Sequence, residues 1–228
     1  MRGSTTMRRE IVTVCRRLYE CGLIAGPDGN VSVRIAPDRV LVTPSGMSKV
    51  DVTEADLVEV RLTGERVQGE GRPSSEVAVH LRIYAQRADV MAVVHAHPPI
   101  ATGFAVAGQS LDAHVLPELI CQIGCVPLVP YDTPGTQALA ERFDPFVASH
   151  DAFLMANHGA VTTGPTLPIA HQRMESLEHA ARILLTARLL GRVNELPPAS
   201  VAELLAVRDR GNAVPRTEKR DTNRRSSR

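Results

Sequence analysis

Apolar positions along this chain recur at two different periods. Ile11, Val14, Cys15, Leu18 and Tyr19 fall three and four residues apart, the interval that lays one stripe along a helix, and the stripe stops at the glycines between 22 and 26. From Val31 to Ile35 the period shortens to two, as on a half-buried strand; 39–42 repeats it beyond a Pro37-Asp38 turn, so the two segments read as a hairpin. Thr53-Glu54-Ala55-Asp56 has the spacing of a capping box opening one short turn, and 57–62 predicts a strand closed by Thr63-Gly64. Ser74 and Ser75 precede a helix over 76–86, on which Val79, Ile83 and Arg87 share a face. A strand over 90–97 is cut off by Pro98-Pro99, and 127–131 and 152–156 predict two more. Thr133-Pro134 has the cap-then-proline order of a helix start. The longest helical pattern, 168–190, stops at Gly191, and Ser200-Val201-Ala202-Glu203 opens a last helix to about Asp209. Strands scattered among helices, some joined as hairpins, predict a mixed sheet with helices on both faces.

Composition narrows the class. A chain of 228 residues with 43% hydrophobic and 22% charged residues is that of a soluble globular protein and fits one domain better than two. Its net charge of +1 argues against nucleic acid as the main partner. The charge is uneven: 211–228 carries six Lys/Arg against two Asp/Glu, which leaves about −3 on the rest. The sequence therefore divides into a folded part over 7–210 and a basic, disordered tail over 211–228. No apolar run reaches the ~18 residues that cross a bilayer, and the N-terminal segment lacks the apolar stretch of a signal peptide, so the expectation is a cytoplasmic protein with no membrane contact. Cys15, Cys21, Cys121 and Cys125 stand at neither zinc-ribbon nor redox spacing and read as reduced thiols.

Chemistry concentrates in a few short segments. His95 and His97 are two apart on the predicted strand 90–97, where alternate side chains project from one face about 6–7 Å apart, and His158 lies in a distant Asn157-His158-Gly159. Taken singly, a His-x-His pair is as well explained by hydrogen-bonded core histidines. Three imidazoles meeting on one ion would leave a coordination position open, the mark of catalytic rather than structural zinc. Three further segments suit an anion: Asn30 after a glycine turn, the Thr43-Pro44-Ser45-Gly46 loop with Lys49 just beyond it, and Ser74-Ser75 at a helix start. Each alone also reads as an ordinary turn or cap. Glu76 follows those serines and, beside a metal, would serve as a ligand or a general base. His80, His171 and His179 on helices, and His114 and His150 in loops, read as surface or packing residues.

In this order, Gly29-Asn30-Val31-Ser32-Val33-Arg34, Thr43-Pro44-Ser45-Gly46, Ser74-Ser75-Glu76, His95-Ala96-His97 and Asn157-His158-Gly159 resemble the class II aldolase/adducin family, over roughly Met7 to Asp209. The resemblance implies a three-layer α/β/α single domain with a mostly antiparallel central sheet, assembled as a homotetramer with active sites at subunit interfaces. It implies Zn2+, or another divalent ion such as Mn2+ or Co2+, on His95, His97 and His158, with Glu76 completing the shell and moving a proton. Asn30, Ser45, Gly46, Ser74 and Ser75 would hold a substrate phosphate. The implied activity is aldol cleavage of a ketose 1-phosphate, L-fuculose 1-phosphate-like, to dihydroxyacetone phosphate and an aldehyde through a metal-stabilised enediolate. A decarboxylase or dehydratase acting on a sugar-acid or methylthio-sugar phosphate is the alternative, with a non-catalytic adducin-like binding protein as a third reading. One departure is clear: the central segment 111–119, where the aldolases carry a catalytic tyrosine, has none, Leu116 being nearest and His114 or Glu118 the candidate substitutes.

Overall fold

The computed structural model describes residues 4–213, built around a sheet whose strands send alternate side chains into two separate apolar layers. The first half contains α1 (Ser4–Glu20), β1 (Asn30–Ala36), β2 (Arg39–Val42), β3 (Val58–Arg61), β4 (Arg66–Gln68), α2 (Val77–Gln86) and β5 (Ala92–Ala96). Then follow α3 (Pro99–Val106), α4 (Pro117–Gln122), β6 (Leu128–Val129), α5 (Gln137–Glu141), α6 (Asp144–Val147), β7 (Ala152–Met155), β8 (Gly159–Gly164), α7 (Leu167–Leu189) and α8 (Pro198–Ala213). The strands order as β4-β3-β2-β1-β5-β8-β7-β6, and every pair is antiparallel except β6 with β7. The predicted mixed, mostly antiparallel sheet is what forms. No helix among the described residues is long and apolar enough to cross a membrane.

Period-two patterning explains the layers. Val31 and Val33 of β1 and Val94 and Ala96 of β5 join α1, α3, α4 and α7 in one core. Val40, Val42, Val58, Val60, Val93 and Phe153 pack on the other face against α2, α5 and α6. Each such side chain removed from water contributes about 1.5–3 kcal/mol, and this burial rather than local propensity holds the short helices in place. The same alternation turns Asn30, Ser32 and His95 toward α2, and their strands are adjacent, with Asn30 opposite His95.

Several boundaries differ from the sequence reading. Helix α5 begins at Gln137, because Thr136 rather than Thr133 accepts the capping hydrogen bond, from the Leu139 amide at 3.2 Å. Helix α8 begins at Pro198 and runs to Ala213, so Ser200 falls inside its first turn instead of capping it. The predicted tail beyond 213 lies outside the described residues. Thr53 and Asp56 form the expected short turn, the Asp56 carboxylate accepting from Thr53 N at 2.8 Å and Oγ1 at 2.6 Å, and the expected strand follows as β3. Strands β4 and β8 and helices α3, α4 and α6 had no counterpart in the pattern, being only three to eight residues long.

At the end of the sheet where β7 begins, the buried Asp151 carboxylate collects three guanidinium groups: Arg173 at 2.8 Å, Arg87 at 3.0 Å and Arg208 at 3.5 Å. Arg173 also donates to Thr163 O at 2.7 Å and Gln122 O at 3.1 Å, so the cluster ties α2, α7 and α8 to the sheet. Removing the shared anion would strand buried cations, which costs far more than the pairs contribute. Asp151→Ala is therefore expected to lower unfolding stability by about 3–5 kcal/mol in urea titration; a loss below about 1 kcal/mol would mean that the cluster is solvated.

Candidate metal centre

Four elements bring the three histidines together. His95 is the penultimate residue of β5, fixed in register opposite Asn30 and Val161. His97 is not on the strand as the sequence suggested: β5 stops at Ala96, and the His97 amide donates to Leu23 O in the loop after α1 at 2.9 Å. The ring still returns to its neighbour, with the two Nε2 atoms 3.2 Å apart. His158 sits in the turn between β7 and β8, where Asn157 is the one non-glycine residue at positive φ among those described, +57°. Asparagine tolerates this conformation, and it reverses the chain tightly enough to present the next side chain inward.

The three rings pack with centroids 4.9, 4.9 and 5.1 Å apart, and one nitrogen from each lies within 4.8 Å of the others. Two glycines make this crowding possible. A Cβ at Gly159 would stand 2.6 Å from both Ala96 O and His97 Cδ2, and one at Gly29, whose φ is +70°, would stand 2.7 Å from His95 O.

Glu76 occupies the residue before α2, and its side chain makes no hydrogen bond to its own helix end, leaving the carboxylate to face the rings. Oε2 is 2.8 Å from His95 Nε2, and Oε1 is 3.1 Å from His158 Nε2. The proton inventory of this group is informative. His95 Nδ1 lies 2.9 Å from the Ala160 carbonyl oxygen, which can only accept, so Nδ1 carries a hydrogen and the neutral ring presents a lone pair at Nε2. That lone pair faces a carboxylate oxygen on one side and another imidazole nitrogen on the other. A cation among them satisfies every group at once, and nitrogen with carboxylate oxygen is a donor set suited to zinc and related divalent ions.

Burial pushes the Glu76 carboxyl up, but hydrogen bonds from His158 and His95 and their charges outweigh it and hold the group well below the usual carboxylate range. His97 is pushed down to about 4, by burial first and then by His95 and His158. Metal ligation requires an ionised carboxylate and neutral imidazoles, so a cation bound here would take the place of the protons that His95 and His158 direct at Glu76. Asp28 Oδ2, 3.5 Å from His97 Nδ1, stands behind that ring.

The anion-friendly segments converge beside the histidines. Asn30, Ser45, Gly46, Ser74 and Ser75 all line one cleft of about 220 Å³, together with Asp28, Lys49, Glu76 and His97. Gly46 turns at a φ of +73°, and Ser74 joins the Thr43 strand end through its amide to Thr43 O at 3.1 Å. Behind the cleft, His80 takes the packing role of the two expected and is fully buried; its Nδ1 is 2.7 Å from Ser32 Oγ, which also meets the Tyr84 hydroxyl at 2.9 Å. This chain of polar contacts pins α2, and hence Glu76, to β1. Burial holds His80 at about 3, so it stays neutral there.

None of the three tyrosines touches the histidine cluster within this chain. Tyr84 is committed to Ser32, while Tyr19 and Tyr131 are exposed. Leu116 is the residue before α4 and packs on the core, His114 Nε2 faces Cys125 Sγ at 3.4 Å, and Glu118 is exposed.

Comparison with known proteins places this geometry. Residues 9–185 match the Class II Aldolase and Adducin N-terminal domain family. The chain is 33% identical over 204 residues to the 3-oxo-tetronate 4-phosphate decarboxylase of Pectobacterium atrosepticum, covering 86% of this chain and 91% of that protein. It is 33% identical over 199 residues to the 5-deoxy-D-ribulose 1-phosphate aldolase of Bacillus thuringiensis serovar kurstaki, covering 86% and 92% respectively. A solved structure of L-fuculose 1-phosphate aldolase superposes with a TM-score of 0.84 at 30% identity, over 90% of this chain and 96% of that one. Three layers around a mostly antiparallel sheet, the ordered motifs and these relatives agree: the chain belongs to the class II aldolase/adducin family, whose enzymes are lyases.

Proposed function

We propose that this chain is a divalent-metal-dependent lyase that decarboxylates a small phosphorylated 3-oxo acid. The observation that carries the reading is the meeting of three imidazoles and the Glu76 carboxylate beside a polar cleft. His95, His97 and His158 would hold the ion, with zinc as the first expectation and Mn2+ or Co2+ able to use the same donors. When bound, such a cation supplies Lewis-acid neutralisation of charge on a carbonyl oxygen next to the breaking bond.

The residues divide the remaining work. Asn30, Ser45, Gly46, Ser74 and Ser75 bind the phosphate and so fix the reacting carbons at the other end of the cleft, which converts remote binding into alignment. As the carboxylate leaves as carbon dioxide, the electrons of the carbon–carbon bond stay on the substrate as an enediolate. The reaction then consumes one proton at that carbon, and Glu76 relays it. From a 3-oxo-tetronate 4-phosphate the product is dihydroxyacetone phosphate.

This reverses the order in which the sequence ranked the two reactions. Aldol cleavage must remove a proton from the hydroxyl that becomes the aldehyde, the task of a tyrosine in the family's aldolases. Decarboxylation expels a molecule that carries no proton and needs no such residue. A chain without tyrosine over 111–119 therefore suits decarboxylation, and the decarboxylase from Pectobacterium atrosepticum supports the same choice. Aldolase activity on a ketose 1-phosphate is the second reading, favoured by the relative from Bacillus thuringiensis. The proposal retains a homotetramer, and the four free cysteines are in keeping with a reducing cytoplasm.

Metal-loaded protein given 3-oxo-tetronate 4-phosphate is expected to release carbon dioxide and dihydroxyacetone phosphate in equal amounts, with no aldehyde from ketose 1-phosphates. Aldehyde release without decarboxylation would transfer the assignment to the aldolase. Glu76→Gln should keep its metal and lose about 10²- to 10⁴-fold in kcat. Unchanged turnover in that variant would take Glu76 out of the chemistry.

A further inference from the structure

Lys49 is an unusual lysine. It is 2% exposed, among the largest fully enclosed side chains of the fold, yet it ends in an ammonium. Nζ donates to Pro27 O at 2.7 Å and Met47 O at 3.0 Å, two carbonyls on the two loops that frame the cleft. An ammonium has three N–H groups, so one donor remains after these contacts. No carboxylate among the described residues forms an ion pair with it. Burial pulls the ammonium below the usual lysine range, while Cys15, Asp28 and Glu76 pull the other way without reversing it. Burying a charge without a counter-charge is expensive, and folded proteins meet that cost by pairing the charge. Lys49 lines the same cleft as Asn30, Ser45, Gly46, Ser74 and Ser75, a set of hydroxyls, amides and backbone that offers hydrogen bonds but no positive charge.

We infer that Lys49 is the cationic anchor of this cleft, pairing with the phosphate of the substrate and selecting a charged ligand over a neutral sugar. The inference rests on the reading above that the substrate is phosphorylated. It also gives the residue a second consequence. Because the ammonium already holds Pro27 O, a phosphate drawn to it would settle the loop that carries Asp28, Gly29 and Asn30, and Gly29 packs directly on His95 O. Phosphate binding and the placing of the histidine cluster would then share one hinge of the structure.

Inorganic phosphate serves as the probe, so that binding is measured without turnover. Calorimetric titration of the metal-loaded full chain is compared with Lys49→Met and with Lys49→Gln, whose amide keeps donors for the two carbonyls but no charge. Phosphate affinity is expected to fall about 10- to 100-fold in both variants, the range for one charge-assisted contact, and the phosphate-induced rise in Tm should shrink with it. KM for the phosphorylated substrate should rise by a similar factor. A residue that only staples two loops together would lower Tm without changing phosphate affinity. Affinity within twofold of the unsubstituted chain in either folded variant overturns the inference, as does failure of the unsubstituted chain to bind phosphate. If the chain binds phosphate through Lys49 yet decarboxylates nothing, the reaction assigned above fails while the role of Lys49 stands.

Discussion

Lone pairs crowded into a small buried volume impose the constraint from which the rest of the architecture follows. The Nε2 of His95 points at Glu76 Oε2 from 2.8 Å and at His97 Nε2 from 3.2 Å, with its own hydrogen already given to Ala160 O on the far side. In water each of these groups would be hydrated; enclosed together they repel unless protons or a cation join them. The fold therefore spends strand registry, a left-handed asparagine and two glycines on holding these donor groups within reach of one another. Under the proposed function such preorganisation would spare the groups any rearrangement when charge develops.

The sheet supplies the rigidity. Strand β5 lies between β1 and β8, so His95 is held from both sides, by Asn30 and by Val161. His97 and His158 sit in turns at the same end, and Glu76 arrives at the start of a helix packed on the sheet face through Ser32, His80 and Tyr84. The Asp151 cluster secures the opposite end of strands β7 and β8, keeping the structural ion pairs apart from the chemistry. Function thus collects on loops at one end of a scaffold stabilised elsewhere, a common division of labour.

Much of this was legible in the sequence because the relevant residues are chemically distinctive. The histidine motifs, Glu76 and the serine and glycine segments could be read as one site since few other arrangements account for all of them in a single chain. Helix α7 and the β1–β2 hairpin followed from long, regular periods. Helices α3, α4 and α6 did not, because segments of four to eight residues carry too few apolar positions to show a period and are fixed by tertiary packing. Strand β8 was hidden for a related reason: its glycines and alanine are small because rings and a helix pack against them, and smallness leaves no alternation to read. That His80 packs in the interior and Lys49 is enclosed was not legible, because burial of a polar side chain is a property of the assembled layers. The choice between two lyase reactions turned on an absence, the missing tyrosine, which the sequence exposed but could not rank.

The most direct test of the account is X-ray absorption fine structure at the edge of the metal bound by the full chain. The account predicts one divalent ion per chain surrounded by three imidazole nitrogens, at about 2.0–2.1 Å for zinc, with the remaining neighbours oxygen. Sulfur in the shell, or fewer than three imidazoles around a stoichiometric ion, would contradict it.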